Sequence, residues 1–141
     1  MHLSLLIATL NEGDFNGIRP YLDNIKCIGR KEIQYSNDGK IKKIGDSILT
    51  YKDGFLEKIG LDQVRYDLKK RVVSIGNERV EYDSTGKITK IGSEKFYYSN
   101  GQLWTVGEHY IYRTPSEKLY SIGQSHITYA GDKSFDLLDF D

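Results

Sequence analysis

Most of this chain is one short unit, repeated in tandem from Gly29 towards the C-terminus. Each copy reads Gly-x3-apolar-x-Tyr, then a turn, then apolar-x2-aliphatic-Gly, and the stretch from Ile88 to Gly107 is a clear example. Successive copies are 15 or 16 residues apart, which leaves room for two short strands in each. The repeat therefore decides the fold class. Its closing glycines are Gly29, Gly45, Gly60, Gly76, Gly92, Gly107 and Gly123.

The turn after each tyrosine is the strongest local signal. The Asp53-Gly54 and Asn100-Gly101 pairs are two-residue loops of the kind found in type I′ hairpins. The segments 36–40 and 83–87 instead carry three-residue loops that end in glycine, as a G1 bulge requires. This difference accounts for the two period lengths. Both loops align the same cross-strand pairs: Tyr35 with Ile41, Tyr51 with Leu56, Tyr82 with Ile88 and Tyr98 with Leu103.

The Ile-Gly junction must also reverse the chain, because only about eight residues separate successive turns and a parallel crossover needs about a dozen. The sequence therefore predicts an antiparallel meander of about 13 or 14 short strands. If the junctions are three-residue turns, the registers agree without further bulges. One row across the sheet then reads Ile25, Tyr35, Ile41, Tyr51, Leu56, Tyr66, Val72, Tyr82, Ile88, Tyr98, Leu103, Arg113, Leu119 and Tyr129.

The face that carries this row is predicted to be the better buried one, because aromatic and β-branched cross-strand pairs stabilise a sheet. Tyrosine alternates there with an aliphatic residue, and only Arg113 breaks the alternation. The same register places two further sets on this face. They are Ile33, Leu49, Val64, Val80, Phe96, Ile111 and Ile127, interleaved with Cys27, Lys43, Lys58, Ser74, Lys90, Thr105 and Ser121.

The opposite face changes character along the chain. Its first nine positions are mostly polar, and the next four are all aromatic: Tyr97, Trp104, Tyr112 and Tyr120. In the predicted register these four lie on adjacent strands, at about 4.8 Å per strand, with Tyr110 nearby. Exposed aromatic rings offer a flat π-face with a polar tip, so this row is the candidate binding surface.

A sheet with this many strands is predicted to coil strongly or roll into an incomplete barrel, with the tyrosine face inside. Residues 1–24 form a separate N-terminal segment that covers one end, and residues 25–141 form the repeat domain. Apolar residues at helical spacing predict a short amphipathic helix over about residues 2–12, although a strand is the alternative. A last strand is predicted through Phe135. A β-solenoid with one repeat per turn is the competing architecture.

Composition narrows the function classes. The chain has 20 basic and 20 acidic residues, so it is a poor candidate for nucleic-acid binding. The single cysteine, Cys27, and the histidines His2, His109 and His126 lack the spacing of metal ligands, and no phosphate-binding glycine motif occurs. No catalytic residue and no cofactor are therefore predicted. No segment reaches the roughly 18 apolar residues of a membrane span, and a cytoplasmic location is expected.

Two stretches carry a family resemblance. Residues 82–88 (YDSTGKI) and 98–103 (YSNGQL) resemble the YD repeats of Rhs-type bacterial proteins, in which tyrosine, aspartate and a following glycine mark tandem β-hairpins. The likeness covers most of residues 29–129, with a shorter period. It implies the hairpin fold and transfers no catalytic residue.

Two functions are consistent with these patterns. The first is a non-enzymatic repeat scaffold that binds another protein or a second copy of itself. The alternative is a ligand-binding module whose aromatic row takes a glycan or another planar ligand.

Overall fold

The computed structural model describes residues 3–10 and 25–130 as one helix and fourteen strands. The helix α1 spans Leu3–Leu10. The strands are β1 Ile25–Ile28, β2 Lys31–Tyr35, β3 Ile41–Ile44, β4 Ser47–Lys52, β5 Phe55–Ile59, β6 Asp62–Tyr66, β7 Val72–Ile75, β8 Glu78–Tyr82, β9 Ile88–Ile91, β10 Glu94–Ser99, β11 Gln102–Val106, β12 His109–Arg113, β13 Leu119–Ile122 and β14 Ser125–Tyr129. The predicted strand through Phe135 lies outside the described residues.

The strands form an antiparallel meander that closes into a barrel. Each strand pairs with its neighbours in the chain, and β1 pairs with β14 to complete the ring. The predicted all-β hairpin meander is therefore confirmed, and the sheet closes fully. The alternative of a β-solenoid is wrong, because every repeat is a hairpin and none is a coil of parallel strands.

The turns after the tyrosines have the predicted geometry. Asp53 and Gly54 have φ angles of 53° and 84°, and Asn100 and Gly101 have 53° and 79°, as type I′ turns require. In the three-residue loops the last residue has positive φ. This residue is Gly39 or Gly86 in two loops, but Lys70 and Glu117 in the other two.

The turns at the Ile-Gly junctions differ from the prediction. Ile44 pairs directly with Ser47, so the loop between them has two residues rather than three. Its first residue, Gly45, has a φ of 58°, which is the glycine position of a type II′ turn. The same two-residue loop recurs at each closing glycine.

A β-bulge in every hairpin corrects the predicted register. Gln34 pairs with Lys43 and Tyr35 with Ile41, which leaves Lys42 as the extra residue. The bulge turns Lys43 away from the interior, and Ile44 becomes buried instead of Lys43. The prediction that Cys27, Lys43, Lys58, Ser74, Lys90, Thr105 and Ser121 share the buried face is therefore wrong, although Ser121 itself is buried. The residues that take their place are Ile28, Ile44, Ile59, Ile75, Ile91, Val106 and Ile122.

The interior is lined by three aliphatic or aromatic side chains from each hairpin. In the hairpin of β2 and β3 they are Ile33, Ile41 and Ile44, each at most 5% exposed. All of these side chains form one hydrophobic cluster with the helix. Packing is continuous around the ring because each hairpin presents the same three positions.

The closing glycines lie at one end of the barrel, the glycine end, and the tyrosines lie at the opposite end, the tyrosine end. At the tyrosine end, tyrosine side chains bridge neighbouring hairpins. The Tyr82 hydroxyl donates to the Val72 carbonyl at 2.6 Å, ten residues earlier, and so bridges two hairpins. Arg113, which breaks the tyrosine pattern in the sequence, serves the same purpose by donating from Nη1 to the Leu103 carbonyl at 2.8 Å. The other bridges come from Tyr35, Tyr51, Tyr66, Tyr98 and Tyr129.

The helix α1 fills the middle of the barrel. Fourteen strands about 4.8 Å apart enclose a ring roughly 21 Å across, which is too wide for side chains alone to fill. Every residue from Ser4 to Leu10 is buried. The expected amphipathic helix is therefore wrong on one point: the helix is buried all round, which matches its apolar sequence. Its polar groups are satisfied, since Ser4 donates to Glu78 at 3.2 Å and Thr9 to the Leu5 carbonyl at 2.7 Å.

The seventh hairpin is assembled from the two ends of the array. Ile25 of β1 pairs with Tyr129 of β14, as Ile41 pairs with Tyr35 in a continuous hairpin. The Gly29 amide donates to the His126 carbonyl at 2.7 Å, repeating the bond from Gly45. The ring is thus closed by ladder hydrogen bonds, without a connecting turn between these two strands.

Candidate functional site

The outer face of the barrel carries five large aromatic side chains on four adjacent strands. They are between 40% and 52% exposed, although rings of this size are usually more deeply buried. All five predicted residues are brought together on this face. We call this set the aromatic surface: Tyr97 on β10, Trp104 on β11, Tyr110 and Tyr112 on β12, and Tyr120 on β13.

Two of these rings are the extra residues of β-bulges. Trp104 is the extra residue between the pairs Tyr98–Leu103 and Tyr97–Thr105. Tyr120 has the same place opposite Tyr112 and Arg113. Each ring follows an inward-facing leucine, so alternation along the strand points it out from the barrel wall, and the bulge then returns a later aliphatic residue to the interior.

Three of the rings are in contact. Trp104 meets Tyr110 edge to face, with centroids 6.0 Å apart, and Tyr110 meets Tyr112 at 6.4 Å with an interplanar angle of 38°. Tyr120 packs instead against His126, at 5.2 Å. These separations are within the range of favourable aromatic pairs, so the rings hold one another in place.

A concave site lies beside these rings at the glycine end of the barrel. This outer groove has a volume of about 440 Å³ and lies between the turn that starts at Gly107 and the turn that starts at Gly123. Tyr110 and Tyr112 line it together with polar residues from both turns. The complete lining is Glu108, His109, Tyr110, Tyr112, Ile122, Gly123, Gln124 and Ser125.

The polar part of the outer groove was not predicted. Glu108 and Gln124 occupy the same position of two successive repeats, the residue after the closing glycine. Once the junction is known to be a two-residue turn, these residues must project from neighbouring hairpins at one end of the barrel. Because a three-residue turn was predicted at this junction, the shared position of Glu108 and Gln124 did not indicate a site.

Gly123 has a close neighbour in this groove. A Cβ atom at this position would lie 2.8 Å from Nδ1 of His109, and the φ of Gly123 is 59°. The glycine thus permits both the turn and the approach of the imidazole. The groove depends on a small residue here.

A second concave site of about 420 Å³ lies at the tyrosine end, where Phe55 meets Tyr66 edge to face at 5.7 Å. One of its charged groups, Asp67, organises a turn. Asp67 accepts bonds from the amides of Lys69 and Arg71 and pairs with the Arg71 side chain at 3.1 Å. The lining also includes Lys52, Asp53, Glu57, Gln63 and Lys70, so this site is more highly charged than the outer groove.

The shifted pKa values belong to structural groups. Burial raises the pKa of Tyr35, Tyr51 and Tyr66 above the ordinary value of 10.0. Hydrogen bonds from Thr85 and the Lys87 amide lower the pKa of Asp83, and the Arg71 amide is the main cause of the lowered pKa of Asp67. These shifts come from the bridging tyrosines and the turns.

His109, His126 and Cys27 are not gathered into a metal site, and His2 lies outside the described residues. Within residues 3–10 and 25–130, no group of three or more His, Cys, Asp or Glu side chains is placed to hold an ion. The helix in the described part of the chain has eight residues, and it is too short to cross a membrane.

Comparisons with protein-family models, with characterised proteins and with solved structures found no match. The resemblance to YD repeats therefore stays a hypothesis.

Proposed function

We propose that this protein is a non-enzymatic binding module, a closed barrel that presents the aromatic surface to a partner. The observation that carries the proposal is the grouping of five half-exposed aromatic rings on four adjacent strands. Trp and Tyr at such positions supply a large contact area at little entropic cost, since each has few rotatable bonds.

The closed ring favours recognition through outer side chains over recognition through a strand edge. A partner that adds a strand needs an unpaired sheet edge, and each described strand is paired on both sides. A protein partner or a second copy would therefore have to contact outer side chains, among which the aromatic surface groups the most large rings. A cytoplasmic location stays a prediction.

The proposal is tested by removing the rings and measuring binding of any kind. The variant Trp104→Ala/Tyr110→Ala and the wild-type protein are compared in three assays: light scattering over a range of concentrations, selection against a displayed peptide library, and a panel of oligosaccharides. We expect at least one binding activity in the wild type that the variant loses. Identical behaviour of the two proteins in all three assays would contradict the proposal.

The matched control is Ile48→Ala. Ile48 occupies the position of Tyr110 in another repeat and is 58% exposed, but it lies on the other side of the ring. Its replacement should leave binding unchanged. Thermal unfolding of each variant separates loss of binding from loss of the fold.

A further inference from the structure

The geometry points to a neutral sugar as the ligand of the outer groove, stacked on Tyr110 and Tyr112 and held by polar groups of the two flanking turns. This inference rests on the proposed binding function and adds the chemical class of the ligand. Its carrying observation is the combination, in one groove of about 440 Å³, of two aromatic walls with acceptor and donor side chains.

The aromatic walls match one side of a pyranose. A pyranose ring has an apolar face of C–H groups, which gains dispersion energy and loses contact with water when it lies on an aromatic ring. Tyr110 and Tyr112 are 50% and 52% exposed and inclined at 38° to each other, so each offers an open face from a slightly different direction. A curved, chair-shaped ligand suits two inclined rings better than a flat one does.

The polar lining matches the rim of hydroxyl groups. Each sugar hydroxyl both donates and accepts, so a site needs groups of both kinds. Glu108 supplies a carboxylate acceptor, Gln124 an amide that does both, and Ser125 a hydroxyl. A ligand that is apolar throughout would leave these groups without hydrogen bonds when it excluded water.

The charge of the groove argues against a nucleotide. Sites that stack bases also neutralise phosphates with lysine or arginine. The residues that line the outer groove include neither, and they do include the carboxylate of Glu108. His109 also lines the groove, but the carboxylate of Glu108 disfavours a phosphate or sulfate group more than a neutral sugar.

Trp104 extends the site beyond the groove. Its ring centroid is 6.0 Å from that of Tyr110, and it is 52% exposed. An oligosaccharide that leaves the groove in this direction would place its next unit near the indole. We therefore expect a disaccharide or longer ligand to bind more tightly than the corresponding monosaccharide.

The experiment is a titration of the whole protein with neutral oligosaccharides built from glucose, mannose, galactose and N-acetylglucosamine units. Trp104 is the only tryptophan, so its fluorescence reports on this site, and calorimetry provides an independent readout. We expect saturable binding of at least one member. Tyr110→Ala and Tyr112→Ala should each weaken it by about tenfold or more, and Gln124→Ala by about threefold.

Two controls accompany these variants. Ile48→Ala should bind as the wild type does, since its position is equivalent to Tyr110 but lies outside the groove. A sulfated form of the best ligand should bind more weakly than the neutral form. Unfolding temperatures close to that of the wild type would show that the variants are folded.

The outcomes separate this inference from the function on which it rests. Sugar binding that survives both tyrosine replacements, or preference for the sulfated ligand, would overturn the inference. If no sugar binds but a peptide or a second copy binds through the aromatic surface, the inference fails and the proposed function stands. If the aromatic surface binds none of these partners, both are wrong.

Discussion

The inner and outer faces of the same strands differ in how they vary around the ring. Inside, each hairpin presents three buried apolar side chains, with a bridging tyrosine or arginine at one end. Outside, the residue next to that bridging position is Gln34, Thr50, Arg65 or Glu81 in early repeats, but an aromatic ring in β10 and β12. Burial constrains the inside, because every hairpin contacts the same shared core. The outside carries no such constraint.

This contrast supports the proposal that the outer face is the binding face. A repeat that can hold glutamine, threonine, arginine or glutamate does not need tyrosine for its fold. The fold therefore does not require a ring at Tyr97 or Tyr112, which supports the proposed role of these rings in recognition. Inner substitutions should mainly change stability, and outer substitutions should mainly change binding.

The largest effect on the inner face is expected from alkaline pH. The folded-state pKa of Tyr35, Tyr51 and Tyr66 is raised above 10.0, chiefly by burial. The stability linked to the neutral phenols is therefore complete below pH 10 and is lost as the pH rises through the raised values. We expect the melting temperature to fall steeply in this range, together with the appearance of tyrosinate absorbance.

The variant Tyr51→Phe provides the control for this effect, since it removes one of the titrating groups. It should lose less stability than the wild type between neutral and alkaline pH, although it starts lower because it lacks the bond to the Ile41 carbonyl. Equal pH dependence of the two proteins would contradict the linkage to Tyr51.

The next effect comes from the buried aliphatic positions. Ile88 is fully buried, and Ile88→Ala removes packing and leaves a cavity, so the free energy of unfolding should fall by about 2–5 kcal/mol. The matched change is Thr89→Ala, the next residue, which is the extra residue of a bulge. Thr89→Ala should lower the free energy of unfolding by less than about 1 kcal/mol. Chemical denaturation of the two variants measures both losses. Similar losses of stability for the two variants would contradict the distinction between the inner and outer faces.

A smaller effect is expected from a bridging hydroxyl. Tyr82→Phe removes the bond to the Val72 carbonyl and should cost about 1 kcal/mol. Tyr97→Phe makes the same chemical change on the outer face, where the side chain is half exposed, and should be nearly neutral. Chemical denaturation of the pair measures the difference. Equal costs would mean that the bridges between hairpins do not stabilise the barrel.

The smallest effect concerns a loop. Glu117 has a φ of 67° at a position that is glycine in two other hairpins, so Glu117→Gly should raise the free energy of unfolding by up to about 1 kcal/mol. The neighbouring change Ser116→Gly relieves no such strain and should lower it. Thermal and chemical unfolding should agree on these opposite signs. A destabilised Glu117→Gly variant would contradict the argument from backbone strain.

Local chemistry allowed much of the fold to be predicted from the sequence. The period, the type I′ turns and the pairing of Tyr35 with Ile41 all follow from residues close together in the chain. The outward direction of Trp104 and its four aromatic neighbours follows from the alternation of inward and outward side chains along each strand. The grouping of these rings on adjacent strands could therefore be predicted from the order of residues alone.

Local chemistry did not predict the bulge, although the spacing of apolar residues in the sequence is consistent with one. Ile41 and Ile44 are three residues apart, and strict alternation would put them on opposite faces of the strand. A bulge directs both side chains to the interior, but it disrupts the regular cross-strand pairing at one position. Whether that exchange is favourable depends on how much apolar area each residue buries, which only the assembled interior determines.

The closure of the barrel and the burial of α1 inside it were also determined by tertiary contacts. β1 and β14 are the first and last strands of the array, and their pairing depends on how far seven hairpins twist and coil. Only a closed ring of this width creates a space in which α1 can be buried on every side. The sequence by itself determined the hairpins and the aromatic row, because these depend on neighbours in the chain. The tertiary structure decided the bulges, the closed ring and the outer groove, because these depend on how the hairpins assemble around one shared interior.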